Sequence, residues 1–334
     1  MDLVFVHFNT KLPQHLELNL ERSLHLFPLK NVHLLTDQDA GHLSGARLQI
    51  HHLSQDYRWQ EMNSSLVHPK DFRGNFWLTS LARFFALSDF AAIHNEPFLH
   101  IESDVLISSD FPFEALSKLS YDLAFPIVSN SQAIASTLFI RNHSAAKLLA
   151  DYSLKCARED SSTTDMIVLY NLLCQFPDVA TVLPSAFSDS QSLETLSCSK
   201  KVLDSEVYFK AAFDGFDFGR YLFGDDPRNA RGFSTLRRKD PNSFLDVSKL
   251  TLVTTGSRAF PSIRDKFNGG LIPLYSLHIH SKKLSMFRIE KGDVLIRRAV
   301  EDFSLPPRKI FVFRVFCKSI MQAIRRRIKK MLKE

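Results

Sequence analysis

Over the first half of the chain, short apolar segments too brief for helices alternate with longer stretches of helical periodicity, and that alternation constrains the fold more than any other feature. LVFVHFN (Leu3 to Asn9) is β-branched and aromatic enough for a buried strand, and LPQHLELNLERSLHLFP then places leucines at helical spacing. NVHLLTD is a second strand, ending in Thr36 and Asp37, and ARLQIHHLS a third. GNFWLTSLARFFALSDFAAIH predicts a long helix around Phe76 to His94, and PFLHIESDVLI a strand that breaks at a polar tripeptide. DLAFPIV and ASTLFIRN read as further strands, with helices at Ser144 to Ala157 and Thr164 to Cys174. Strands joined through helices need crossovers, so the expectation is an α/β fold of Rossmann type: a mainly parallel central sheet flanked by helices.

In such sheets a ligand sits beyond the carboxyl ends of the strands. The expected strand ends are His7 to Thr10, Thr36 to Asp37 and Glu102 to Asp104, so polar side chains gather where a substrate belongs. Past about residue 200 the texture turns to polar loops, DGFDFGRYLFGDDPRNARG above all, before KLTLVTT and IPLYSLHIHSKKL return to strand-like character. Three regions follow: 1–200 as the binding core, 201–300 as an acceptor-side region that closes it, and 301–334 as a basic helix.

Composition excludes several classes. The cysteines, Cys156, Cys174, Cys198 and Cys317, form no CxxC pair, which points to reduced, buried thiols and not to a zinc knuckle or disulfide framework. MDLVFVHFN lacks the basic flank of a signal peptide, and no run approaches the roughly 20 apolar residues of a membrane span. A cytoplasmic protein is expected. The net charge of +6 is concentrated in the tail, where ten Lys or Arg residues lie between Arg308 and Lys333, so no nucleic-acid-binding surface is implied. In the tail Phe313, Phe316, Ile320, Ile324, Ile328 and Met331 share a helical face, with the basic residues mostly off it. A helix of that kind suits an anionic membrane surface, with docking on the chain's own core or on a partner as alternatives.

The chemistry begins at Glu102-Ser103-Asp104. Acids at alternate positions leave the sheet edge on the same side, and two oxygen ligands so placed suit Mn2+ or Mg2+, which would bridge a diphosphate. A solvated turn is the plainer alternative. FWLTSLARFFALSDF followed by FLHIESDVLI resembles the GT-A superfamily of nucleotide-sugar glycosyltransferases, whose DxD motif sits at this point; here Glu replaces its first Asp. LHIHSK (Leu277 to Lys282) resembles the late histidine and lysine of several families in that group. The DGFDFGRYLFGDDPRN stretch is similar to one in bacterial surface-polysaccharide glycosyltransferases.

The resemblance implies a GT-A-like fold that transfers a sugar from a nucleotide-diphosphate donor, UDP-linked by first choice, to a glycan or lipid-linked acceptor. It makes Asp104 the central metal ligand, with Glu102 as second ligand or ribose contact and His280 preferred over His278 as the late ligand. Lys282 would meet the donor's diphosphate and Arg83 its sugar or phosphate, with Ser103 beside them. Asn9, Thr10, Thr36 and Asp37 would line the base and ribose crevice. Asp165 and Asp217 become candidate catalytic carboxylates, with Asp214 and Arg220 nearby. Structural roles compete for each: Arg83 could pair with Asp89 or a neighbouring loop acid; Thr10, Asp37, Thr164 or Asp165 could cap helices; and the histidines could face each other without metal. A nucleotidyltransferase shares the sheet and the metal, but HFNTKLPQHL lacks its glycine-rich basic loop. A non-enzymatic, membrane- or nucleic-acid-binding adaptor would make the basic tail the working part.

Overall fold

The structure, a computed structural model, describes residues 1–43, 45–53, 57–67, 75–185, 196–224, 226, 243–256, 258–265 and 269–304. The basic tail beyond residue 304, with Cys317, and most of the polar stretch after Gly224 lie outside them.

The chain runs through β1 (Asp2–His7), α1 (Gln14–Leu26), β2 (Val32–Thr36), β3 (Leu48–His52), α2 (Tyr57–Ser65), α3 (Phe76–Ile93) and β4 (Phe98–Ile101). A polar turn then leads to β5 (Val105–Ile107), α4 (Phe113–Ser117), β6 (Leu123–Ser129), β7 (Gln132–Ala133), β8 (Thr137–Ile140), α5 (His143–Glu159), α6 (Asp165–Gln175) and β9 (Ala180–Leu183). The main sheet has the order β3-β2-β1-β4-β8-β6-β7, with β9 paired on β6. β1 is parallel to both β2 and β4, β2 to β3 and β6 to β9, while β8 runs antiparallel between β4 and β6. This is the expected α/β architecture with a mainly parallel sheet.

Strand alternation sorts the core onto two faces. Leu3 and Phe5 of β1 pack with Leu16 and Leu20 of α1, whereas Val4 faces the layer of α3, α5 and α6. α3 is apolar almost all round because it lies inside this second layer, against α5. By length and composition α3 is sufficient to cross a membrane, which corrects the expectation that no segment comes near that length; 67% of it is buried within the protein. Among the described α-helices, α5 and α6 carry side-chain caps: Asn142 Oδ1 accepts from the Ala145 N–H at 2.9 Å, and Thr164 Oγ1 from that of Ile167 at 3.4 Å. Of the residue pair weighed as a cap, Thr164 takes that role and leaves the Asp165 carboxylate for other partners.

From β1 the chain moves outward to β2 and β3 and then returns to place β4 on β1's other side. The carboxyl ends of β1 and β4 are therefore neighbours at a topological switch point, where a crevice opens above the sheet.

The later part is more regular than polar loops. It contains α7 (Ser199–Phe209), α8 (Asp217–Phe223), β10 (Leu252–Val253), β11 (Ser262–Arg264), β12 (Leu271–Pro273), β13 (Ser276–His278), α9 (Leu284–Phe287) and α10 (Ile289–Ser304). KLTLVTT contributes only the two residues of β10, and IPLYSLHIHSKKL is split into β12 and β13. The split arises because Leu274 and Tyr275 turn aside to bond Pro261 and Ala212 through their backbone N–H groups. β13 pairs antiparallel with β5, so this region is stitched directly to the segment that follows the acidic turn. A third apolar cluster, built from Phe218, Phe260, Leu277, Ile279, Phe287 and Ile296, fills its interior. Cys156 and Cys198 are free and buried as expected, whereas Cys174 is free but exposed.

Candidate active site

Hydrogen bonds to its backbone groups fix the acidic turn between β4 and β5. The Glu102 N–H donates to the Ser136 carbonyl at 3.1 Å, and Asn19 Nδ2 donates to the carbonyls of Ser103 (3.2 Å) and Val105 (2.8 Å). The Asp104 carbonyl in turn accepts from the Ile279 N–H at 2.7 Å, which brings the residues after β13 against the turn.

His278 ends β13 with its ring facing both acids. Its Nε2 stands 3.2 Å from Asp104 Oδ1 and 3.7 Å from Glu102 Oε2, and its Nδ1–H donates to the Gly215 carbonyl at 2.7 Å. Lys282 Nζ lies 3.1 Å from the other oxygen of Asp104. Burial works against the charges of Asp104 and His278, but their partners win. Lys282 and His278 hold the Asp104 carboxyl well below its ordinary range, and Asp104 and then Glu102 push His278 up to about 9.

One ligand atom from each of Glu102, Asp104 and His278 falls within 4.8 Å of the others. An oxygen, oxygen, nitrogen set suits a divalent cation of the Mn2+ type. The carbonyl that holds His278 Nδ1 leaves Nε2 as the liganding nitrogen, as at characterised metal sites. The residues present thus fit a cation, which would take the place of the Nε2 proton.

The histidine that meets both acids is His278, although sequence favoured His280. The strand ends at His278, so His280 does not continue its face; a turn with Lys282 at φ 47° folds His280 back until its ring stacks on that of His278 with centroids 4.0 Å apart. Burial and the neighbouring charge of His278 push His280 well below its usual pKa, and its buried Nε2 has no hydrogen-bond partner among the described residues.

Arg83 of α3 lies beneath the acids. Its Nη1 pairs with Glu102 and its Nη2 with Asp165, while Nε donates to the Ser80 carbonyl at 2.8 Å. The two carboxylates keep the guanidinium charged despite its burial. Of the partners weighed from sequence, Asp89 pairs with Arg58, and it is the loop acid Glu102 that Arg83 takes, together with Asp165. Glu102 is therefore shared between Arg83 and His278, and Asp165 is an ion-pair partner at the cleft wall.

These residues line a cleft of about 780 Å³, a size suited to a drug-sized or nucleotide-sized ligand. Thr10, Arg83, Glu102, Ser103, Asp104 and Asp165 line it, as do Arg220, His278, His280 and Lys282. Asn9, Thr36, Asp37 and Asp217 are not among its lining residues and have local work. Asn9, at φ 68°, donates its N–H to both Asp37 oxygens at 3.1 Å, and Thr36 Oγ1 accepts from the Gln38 N–H. Asp217 accepts from the Ser243 hydroxyl at 2.8 Å. Asp214, nearly fully buried, accepts from the N–H groups of Phe218, Gly219 and His278, and so fastens α8 to the end of β13.

Sequence reasoning overlooked Phe76 and Trp77, which present rings at the cleft, and His15, whose Nε2 is 3.3 Å from Ser103 Oγ. Their helical spacing resembled core packing. Nothing local marked them.

No family model matches the chain, and no curated protein matches it. Among solved structures it is similar to the galactosyltransferase LgtC in complex with donor and acceptor sugar analogs, at 13% identity and a TM-score of 0.39 over 55% of this chain and 74% of that one. Mouse xyloside xylosyltransferase 1 in its apo form gives 8% identity and a TM-score of 0.36 over 55% and 84%. The PaToxG glycosyltransferase gives 10% and 0.38 over 62% and 77%. At such distances function has to be read from the side chains themselves.

Proposed function

We propose that this protein is a metal-dependent glycosyltransferase that moves a sugar from a nucleoside-diphosphate donor, UDP-linked by first choice, to a hydroxyl of a glycan or lipid-linked acceptor. One observation carries the reading: Glu102, Asp104 and His278 converge with Lys282 on one cleft at the switch point of the sheet. Mn2+ or Mg2+ held by these three side chains would offset the charge that gathers on the departing diphosphate.

The chain's own residues supply the rest. Lys282 brings a second positive charge to the same region, pre-oriented by Asp104. Arg83 acts as a positioning residue, because its guanidinium is spent on Glu102 and Asp165 and so fixes the acids instead of reaching the donor phosphates. Phe76 and Trp77 offer apolar ring surface to a sugar or base, and the Ser103 and Thr10 hydroxyls stand at the cleft as polar contacts. The Asn9 N–H and the Asp37 carboxylate join the turns after β1 and β2, next to Thr10 at the cleft. Asp165, the carboxylate on the cleft wall, is preferred over Asp217 as the acceptor-side acid, since Asp217 is not part of that wall. The assignment to bacterial surface-glycan assembly rests on the DGFDFGRYLFGDDPRN resemblance. The basic segment 301–334 would bring a cytoplasmic enzyme to an anionic membrane surface carrying its acceptor.

A donor screen with and without Mn2+, read as nucleotide release, tests the proposal on wild type and Asp104→Ala. Metal-dependent turnover of one nucleotide sugar, lost in the variant, is the expected result; turnover unchanged by Asp104→Ala contradicts it. Deletion of residues 308–334 should spare activity on a soluble acceptor and reduce binding to anionic vesicles. Loss of all function on deletion would favour the adaptor.

A further inference from the structure

At the opposite end of the sheet, around the amino ends of β1 and β2, a second cluster of potential ligands has no place in the sugar-transfer chemistry. Strand alternation puts Asp2, His33 and His51 on the face that packs against α3, and His94 follows the last residue of that helix. A rise of about 1.5 Å per residue sets His94 roughly 16 Å along the axis from Arg83, well away from the cleft.

Here His33 Nε2 lies 3.3 Å and His94 Nε2 3.8 Å from the same oxygen, Asp2 Oδ2. All three ligand atoms fall within 4.8 Å of one another. Ligand atoms on a tetrahedral zinc at about 2.0–2.1 Å stand about 3.3 Å apart, so the His33 edge already has that length and the His94 edge needs only a small closure. His94 Nε2 is buried with no hydrogen-bond partner among the described residues, an arrangement that a metal bond resolves.

The surroundings also resemble a built site. His33 Nδ1 is 3.0 Å from His51 Nε2, so the ring's second nitrogen is held by a neighbour, as it is for most metal-bound histidines. Asn31 donates its backbone N–H to Asp2 Oδ1 and its Nδ2–H to Oδ2, which fixes the carboxylate. Phe90 packs against the rings of His33, His51 and His94, giving the group an apolar wall.

We infer that Asp2, His33 and His94 form a second metal site, of the zinc class, with His51 as a positioning residue and water in the fourth position. The site pins the first strand, the second strand and the end of α3 to one another. Imidazole-rich sets select Zn2+ over the Mg2+ or Mn2+ expected at the carboxylate-rich cleft. It is independent of the sugar-transfer reading, since none of its residues touches the cleft.

Co2+ is the probe, because tetrahedral cobalt absorbs strongly in the visible and zinc displaces it. The full chain is titrated with its purification tag removed and carries Asp104→Asn to silence the cleft. We expect about one equivalent of tetrahedral Co2+, displaced by Zn2+, with a metal-dependent rise in Tm. His51→Gln should weaken the site about 10- to 100-fold; His94→Gln and Asp2→Asn should each weaken it further, with circular dichroism unchanged. His94→Gln in an otherwise wild-type chain should keep transferase activity; should that variant fail to fold, Asp2→Asn gives the same reading. Absence of Co2+ uptake in the Asp104→Asn protein, or uptake indifferent to both ligand variants, would overturn the inference.

Discussion

Gly219 lies against the backbone of His278, so close that a methyl group at position 219 would stand 2.0 Å from the His278 carbonyl oxygen and 2.6 Å from its carbonyl carbon. The first face of α8 thus sets where β13 ends, and with it where the imidazole meets the acids. Gly219→Ala must push α8 and β13 apart. We expect it to cost about 1–3 kcal/mol of stability by urea unfolding, and to weaken Mn2+ binding out of proportion to that loss. Unchanged metal affinity would mean that the contact does not position His278.

Asp214 holds the same junction by accepting three backbone N–H groups. Asp214→Ala would leave three buried donors without partners and should destabilise the fold by about 3 kcal/mol or more. Asp214→Asn, which keeps one acceptor oxygen, should recover part of that loss. Equal losses for the two variants would remove the hydrogen bonds as the cause.

Arg83→Ala would strand Asp165 as a buried acid without its counter-charge and leave Glu102 with His278 alone. A loss of about 3–5 kcal/mol is expected, measured by thermal or chemical unfolding. A stable Arg83→Ala protein defective only in donor binding would restore the phosphate-binding role that sequence suggested.

How much of this could be read beforehand varies with the range of the interaction. β1, β2, α3 and the break at Glu102-Ser103-Asp104 follow from local periodicity, and the expected and observed bounds nearly coincide. The choice between His278 and His280 did not, because it depends on β13 ending where it pairs with β5, about 170 residues earlier in the chain. Arg83 could be singled out by type, but its partner Asp165 is 82 positions away and is brought near only by the packing of α3, α5 and α6. The Asp2, His33 and His94 group shows no spacing motif at all, since its members come from β1, β2 and the end of α3.

Away from the site, Arg258 ties the β10–β12 region to the segment after β5. It donates to the carbonyls of Phe260, Pro261 and Leu274, and through Nε to Asp110 at 2.9 Å. Although partial burial opposes it, the Ser108 hydroxyl and Arg258 hold the Asp110 carboxyl below its ordinary pKa. A depressed carboxylate stabilises the fold above its unfolded value, about 3.9, and that contribution is lost as pH falls through the folded value. With its side chain half exposed, Asp110 should contribute only about 0.5–1 kcal/mol. Asp110→Asn should lower stability by that amount at neutral pH and match wild type in strong acid; a deficit independent of pH would contradict the ion pair.

A divalent cation held by Glu102, Asp104 and His278 would let a nucleoside diphosphate bind beside Lys282. Calorimetric titration of the full chain with UDP, with and without Mn2+, tests it most directly when wild type is compared with Asp104→Ala. We expect binding that requires Mn2+ in the wild type and is absent in the variant, with both proteins equally folded by circular dichroism. Mn2+-independent UDP binding that survives Asp104→Ala would contradict it.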